Sequence, residues 1–241
     1  NPSMTHRFSD PRNTILGLDI GATQVCATIA RIDADNQVNI QGVGSSVVTG
    51  ISKGKIVDSE QLIKSIRRAV TRAERESQHH ALQTIVNICG PSISTYACNG
   101  LYKSNEPNGQ ISNEDKLKVL KKARMLVNKP AKKIIHFLPV SFRVDDNVTT
   151  KDPVGVFGKM LEVQALAVLS DEEHLEKVIQ VVQGAGLEVG GICLNVLATS
   201  EVMLTKEEKQ SGVILVDFGG GNIHIAYFKE GVLQHCSTIP M

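Results

Sequence analysis

Apolar and polar residues alternate on both sides of a glycine turn in TILGLDIGATQVCATIARI (14–32), and a period of two around such a turn predicts a β-hairpin. Strand-like alternation continues in NQVNIQGVGSSVV (36–48), past a polar turn at Asp33–Asn36. From Asp58 the period lengthens: Leu62, Ile63, Ile66, Ala69, Val70 and Ala73 recur at helical spacing through 58–77, with Asp58 or Ser59 as N-cap and Arg and Glu on the other face. The short apolar run TIVNICG (84–90) predicts a buried strand, and EDKLKVLKKARMLV (114–127) a second helix capped by Ser112 or Asn113. KIIHFLPVSFRVD (133–145) and MLEVQALAVLS (160–170) read as strands, which places His136 on a strand. DEEHLEKVIQVVQGAGL (171–187) reads as a helix that opens on carboxylates and stops at Gly184 or Gly186. The segment 193–212 is expected to be helical, and VILVDFGGGNIHIAYFKEG (213–231) repeats the plan of strand, glycine turn and strand. Strands mixed with helices in this order predict an α/β fold with a mixed sheet.

Composition removes several functions. With 26 Lys and Arg against 25 Asp and Glu, the net charge of +1 provides no global basic field for nucleic acid. Five cysteines (Cys26, Cys89, Cys98, Cys193, Cys236) form no C-x-x-C and no zinc spacing, so they read as reduced thiols. No apolar run approaches the roughly 18–20 residues of a spanning helix. The lysines of 114–133 (Lys116, Lys118, Lys121, Lys122, Lys129, Lys132, Lys133) read as a solvated face. The functional alternative is a docking patch for an acidic segment or an anionic membrane surface. Nucleic acid is the weaker partner because no stacking aromatics interleave the lysines.

The chemistry lies in the repeated plan. ILGLDIGATQVCATIA and VILVDFGGGNIHIAYF each carry an apolar strand, an Asp, a glycine turn and a second strand. A glycine turn lets backbone N–H groups approach a phosphate with no Cβ in the way. An Asp at the strand end can hold Mg²⁺ or its waters beside that phosphate. Two such hairpins facing each other would grip a triphosphate from both sides. Other phosphate and catalytic motifs fail: Gly50–Lys55 has the wrong spacing for a P-loop, and the glycine pairs at 42–44 and 184–186 lack a third glycine. Asp217-Phe218-Gly219 has no kinase catalytic loop before it, and no G-x-S-x-G supplies a hydrolase nucleophile.

Paired GLDIGATQV and VDFGGGNIHIAYF resemble the two phosphate motifs of the superfamily of actin, sugar kinases and heat-shock chaperones. IQGVGSSVVTGISKGKIVDSEQLIKSIRRAVTRAE, PVSFRVDD (139–146), DPVGVFGKMLEV (152–163) and GLEVGGICLNVLATSEVMLTKEEKQSGV (186–213) are similar, in the same order, to the FtsA family of bacterial cell-division proteins. The KGKIVD and 152–163 segments favour that family over its pilus-assembly cousins of the PilM kind.

The resemblance implies an actin-like (ribonuclease-H-like) mixed-sheet subdomain formed by 13–86 and 164–205, a small α/β insertion subdomain at 87–163, and at 206–241 the start of a second actin-like subdomain. It implies ATP with Mg²⁺ as ligands. Asp19, Gly21, Ala22, Thr23 and Gln24 would form the first phosphate turn, and Asp217, Gly219, Gly220, Gly221 and Asn222 the second, with Asp19 and Asp217 near the metal. Asn222 and Ile223 stand where the family usually has Thr-Thr, His224 stands for a more usual carboxylate, and Asn195 falls near a position that is often acidic. An amide orients water but is no general base, so slow hydrolysis at most is expected. The implied function is a polymerising division protein that links FtsZ and other division proteins to the cytoplasmic face of the inner membrane at the septum. Self-association would accompany it, and the chain would be a truncated form lacking the FtsZ-binding subdomain and the C-terminal membrane helix. The rival is a small-molecule kinase of the same superfamily.

Overall fold

The computed structural model describes residues 14–35, 37–52, 54–80 and 83–241. Asn36 of the first polar turn, Lys53 of the Gly50–Lys55 segment and residue 13, where the first subdomain was expected to begin, lie outside them.

In chain order the strands and helices are β1 (Thr14–Ile20), β2 (Gln24–Ile32), β3 (Val38–Val47), β4 (Ile51–Ser52), β5 (Lys55–Ile56), α1 (Ser59–Ser77), β6 (Gln83–Ile88) and β7 (Ile93–Lys103). Then come α2 (Asn113–Leu126), β8 (Lys132–Val144), β9 (Val148–Thr150), β10 (Met160–Asp171), α3 (Glu172–Gly184) and β11 (Val189–Leu194). The chain continues through α4 (Asn195–Met203), α5 (Lys206–Ser211), β12 (Val213–Phe218), β13 (Asn222–Lys229) and β14 (Val232–Pro240).

The first sheet has the order β11-β6-β1-β2-β3, with β1 antiparallel to β2 and parallel to β6. Helices α1 and α3 pack against it around Leu16, Ile29, Leu62, Ile66 and Val182, all fully buried. Burying each such aliphatic side chain contributes about 1.5–3 kcal/mol. Asp58 caps α1, its Oδ1 accepting from Gln61 N at 3.0 Å. The helix lies directly on β3: a Cβ at Gly44 would overlap the Ala69 carbonyl oxygen. The glycines at 42–44 therefore serve helix–sheet packing.

The second sheet, β7-β10-β8-β9, is wholly antiparallel and carries α2 on one face over Phe142, Leu161 and Val163. Ser112 and Asp115 form a reciprocal capping box at the start of α2. The boundary expected between 163 and 164 falls inside β10, which stays paired with β7 and β8 to the end of the strand because nothing in MLEVQALAVLSD breaks it.

The third sheet, β12-β13-β14, shares a core with the other two. Ile88, Leu166, Val168, Leu194, Ala226 and Phe228 meet in one cluster. The expected helix over 193–212 is three elements instead. Cys193 and Leu194 end β11, α4 stops at Met203, and a second capping box at Thr205 and Glu208 starts α5. Thr205 competes for the backbone and resets the helix. Among the described residues no helix is long and apolar enough to cross a membrane.

Candidate functional site

The two glycine turns have the same construction. Gly21 N donates to Gln24 O at 3.0 Å and Gly219 N donates to Asn222 O at 2.9 Å, each closing a hairpin with a two-residue loop. The loops, Ala22-Thr23 and Gly220-Gly221, face and touch: a Cβ at Gly220 would overlap Thr23 Cγ2, and one at Gly221 would stand 3.3 Å from Ala22 Cβ. Among the described residues no backbone bond takes up the N–H of Ala22, Thr23, Gly220 or Gly221.

Beside these loops lies a cavity of about 430 Å³. Every site residue expected from the sequence lines it: Asp19, Gly21, Ala22, Thr23 and Gln24 from the first hairpin, Asp217, Gly219, Gly220, Gly221 and Asn222 from the second. Asn87, Cys89, Asn195, Thr199 and His224 complete the lining.

A short relay of amides joins the two carboxylates. Asn87 on β6 donates Nδ2 to Asp19 Oδ1 and, at 3.5 Å, to Asn195 Oδ1, while its own Oδ1 accepts from Ile20 N at 2.8 Å. Asn195, the first residue of α4, donates Nδ2 to Asp217 Oδ2 at 3.0 Å. The sequence reading passed over Asn87, although a lone amide in the apolar run TIVNICG was a visible signal. His136 adds a link from the second sheet, its Nε2 accepting from Leu194 N at 2.9 Å just before Asn195.

The electrostatics are those of an acidic cleft. Burial first, and the charge of Asp217 second, raise the pKa of Asp19, and the Asn87 hydrogen bond pulls it back. Burial pushes the Cys89 thiol up to about 11, with Asp19 and Asp217 adding to it, so it is a neutral thiol at physiological pH. His224 is held below the usual imidazole range by burial and bonds Thr238 Oγ1 through Nδ1 at 3.0 Å. Among the described residues no Lys or Arg lines the cavity. The charged side chains that a polyanion would meet there are the two carboxylates, whose repulsion a cation entering with it would offset.

Those donors suit Mg²⁺. The ion takes one or two carboxylates, keeps waters and fills its shell with phosphate oxygens, without needing a protein cage. Asn222 departs from the simple phosphate-turn picture. It is buried, its amide packs against Gly54 in the β4–β5 turn, and its Oδ1 has no hydrogen-bond partner.

Comparison with known proteins places this geometry. Residues 90–169 match the family described as SHS2 domain inserted in FTSA. Over 226 residues the chain is 33% identical to the cell division protein FtsA of Bacillus subtilis, covering 94% of this chain and 51% of that protein. The chain belongs to the FtsA family. The FtsA of Pseudomonas aeruginosa is 31% identical over 227 residues, covering 94% of this chain and 54% of that protein. The FtsA-family chain spans about half the length of the curated relatives it matches. Among solved structures, the PilM-PilN type IV pilus biogenesis complex aligns with a TM-score of 0.62 at 15% identity, over 94% of this chain and 61% of that one. The fold is thus actin-like, and the matched SHS2 segment holds the second sheet, apart from the last two residues of β10, together with α2.

Proposed function

We propose that the cleft of this FtsA-family chain binds ATP as its magnesium complex, and that nucleotide serves subdomain closure and assembly more than turnover. The observation that supports this most is the pairing of two identically closed glycine loops over two carboxylates in one cavity. The N–H groups of Ala22, Thr23, Gly220 and Gly221 would bind phosphate oxygens. Asp19 and Asp217 would hold the magnesium ion or its waters, with Asn87 and Asn195 orienting the two carboxylates. When bound, the ion would neutralise the phosphates and polarise the terminal phosphoryl group. Asn195 would orient a water but take no proton from it, which supports slow hydrolysis.

On this reading the first sheet with α1 and α3 forms the first actin-like subdomain, its first boundary lying beyond the expected 86 because β6 runs unbroken to Ile88; the second sheet with α2 is the interaction module, and 206–241 opens a second actin-like subdomain. The protein would polymerise and link FtsZ and other division proteins to the cytoplasmic face of the inner membrane. Fold likeness to PilM concerns the fold alone, and the sequence likeness to FtsA of both curated relatives favours division over pilus assembly. A chimera tests this role: this chain in place of the matching half of the Bacillus subtilis relative is expected to support septation. A chimera that folds and accumulates normally yet leaves cells filamentous would contradict it.

A further inference from the structure

β7 is an edge strand of the second sheet, paired with β10 on one side only. Its register is unbroken, and the bonds at the two ends of the ladder fix its phase. Ser104 N donates to Lys159 O at 2.7 Å and Asp171 N to Ser92 O at 3.3 Å, so the even-numbered residues bond β10. Ala97, Asn99 and Leu101 therefore turn their backbone N–H and C=O groups to the open edge, and all three are exposed. Nearer the start of the strand, Thr95 is already engaged by His235 of β14.

A cationic ledge borders this edge. From α2, Lys118 and Lys122 reach over the Tyr102 ring, 5.6 and 4.9 Å from its centroid. At the other end Lys129 stands 4.1 Å above the Tyr96 ring. Glu114 pairs with Lys118, whereas among the described residues Lys122 and Lys129 have no carboxylate partner. From Tyr96 to Tyr102 the strand runs about 20 Å at ~3.4 Å per residue.

We propose that the open edge of β7 docks an extended acidic peptide as an added strand, with its backbone on Ala97, Asn99 and Leu101 and its carboxylates on Lys122 and Lys129. Main-chain bonds supply affinity in such strand addition, and flanking side chains supply the choice of partner. The charge decides the occupant. A second copy would set lysines against lysines along the edge, the device by which edge strands avoid self-pairing. A segment carrying carboxylates about six residues apart relieves both cations at once. This site stands apart from the nucleotide cleft and does not depend on it.

The test uses the full chain and a fluorescein-labelled peptide of alternating valine and threonine, about seven residues long, with glutamate at both ends. Expected is binding at least tenfold tighter than that of the same peptide ending in lysine, with slowed amide exchange at Ala97, Asn99 and Leu101. The Lys122→Glu, Lys129→Glu double variant should reverse the preference. A version of the peptide N-methylated at alternate residues keeps its charge and should not bind. No binding, equal binding of the N-methylated peptide, or binding that leaves those amides unprotected overturns the proposal. Capture of the chain by phosphatidylglycerol vesicles through the same lysines, with no slowed exchange along β7, also overturns it and assigns the ledge to a lipid surface.

Discussion

Asn195 donates its side-chain amide to Asp217 Oδ2 at 3.0 Å, so the second carboxylate of the cleft is held by a group without charge. A carboxylate at 195 would face Asp217 directly and compete for the same cation. Asn195→Asp is expected to lower the melting temperature at pH 7 without Mg²⁺, to recover it with Mg²⁺, and to raise ATP turnover by about 10²-fold, the low end for a positioned general base. Melting curves with and without Mg²⁺ and a phosphate-release assay check this. A variant that melts like the parent without Mg²⁺ would show that positions 195 and 217 share no cation site.

Gly220 bears on Thr23 across the cleft, where an added Cβ would overlap Thr23 Cγ2. Gly220→Ala is expected to push the two loops apart and weaken Mg·ATP binding by about tenfold or more, of the order of 1.4 kcal/mol. Thr23→Ser removes the overlapping methyl, so the double variant should bind more tightly than Gly220→Ala alone. Binding measured for all four proteins gives the coupling. Additive effects would mean that the loops do not close on one ligand.

Asp19 is an acid whose pKa is raised in the folded protein, so its stabilising contribution is present at low pH and is lost as pH rises from the ordinary carboxylate value through the folded one. Asp19→Asn should therefore raise the melting temperature at pH 7 and have no such effect below pH 3.8. The same variant should lose Mg·ATP binding. A neutral-pH melting temperature below that of the parent would reverse the assigned sign.

His136 has the opposite sign. Burial lowers its pKa from 6.5 and its Nε2 accepts the Leu194 N–H, so the stability it contributes is present above pH 6.5 and is lost as pH falls through its folded value. His136→Phe leaves that N–H without a partner and is expected to cost about 1–3 kcal/mol at pH 7.5, whereas His136→Gln, which keeps an acceptor, costs less. Urea denaturation at pH 7.5 and pH 5 checks both values. A phenylalanine variant with unchanged stability at pH 7.5 would remove His136 from the route between the second sheet and Asn195.

The hairpins, α1, α2 and α3 were legible because each keeps one period over its whole length and carries its own start signal. The cap residues Asp58 and Ser112 were each among the candidates named. β7 was not legible. Its apolar alternation is broken by Asn99 and Gly100, since an edge strand with one exposed face needs few apolar positions. β11, reading VGGICL, is hidden by glycines in the same way. Both glycine turns could be read as turns. Asn87 stood out as a lone amide, but its partner Asp19 is set by the pairing of β1 with β6, and the partner of His136 by the meeting of two sheets.

The most direct measurement is amide exchange of the full chain with ATP at millimolar concentration, with Mg²⁺ and with EDTA, beside the Asp217→Ala variant. Slowed exchange is expected at 22–23 and 220–221 together, only when Mg²⁺ is present, and is expected to be lost in the variant. Protection of one loop alone, or equal protection in EDTA, would contradict a single magnesium-dependent clamp.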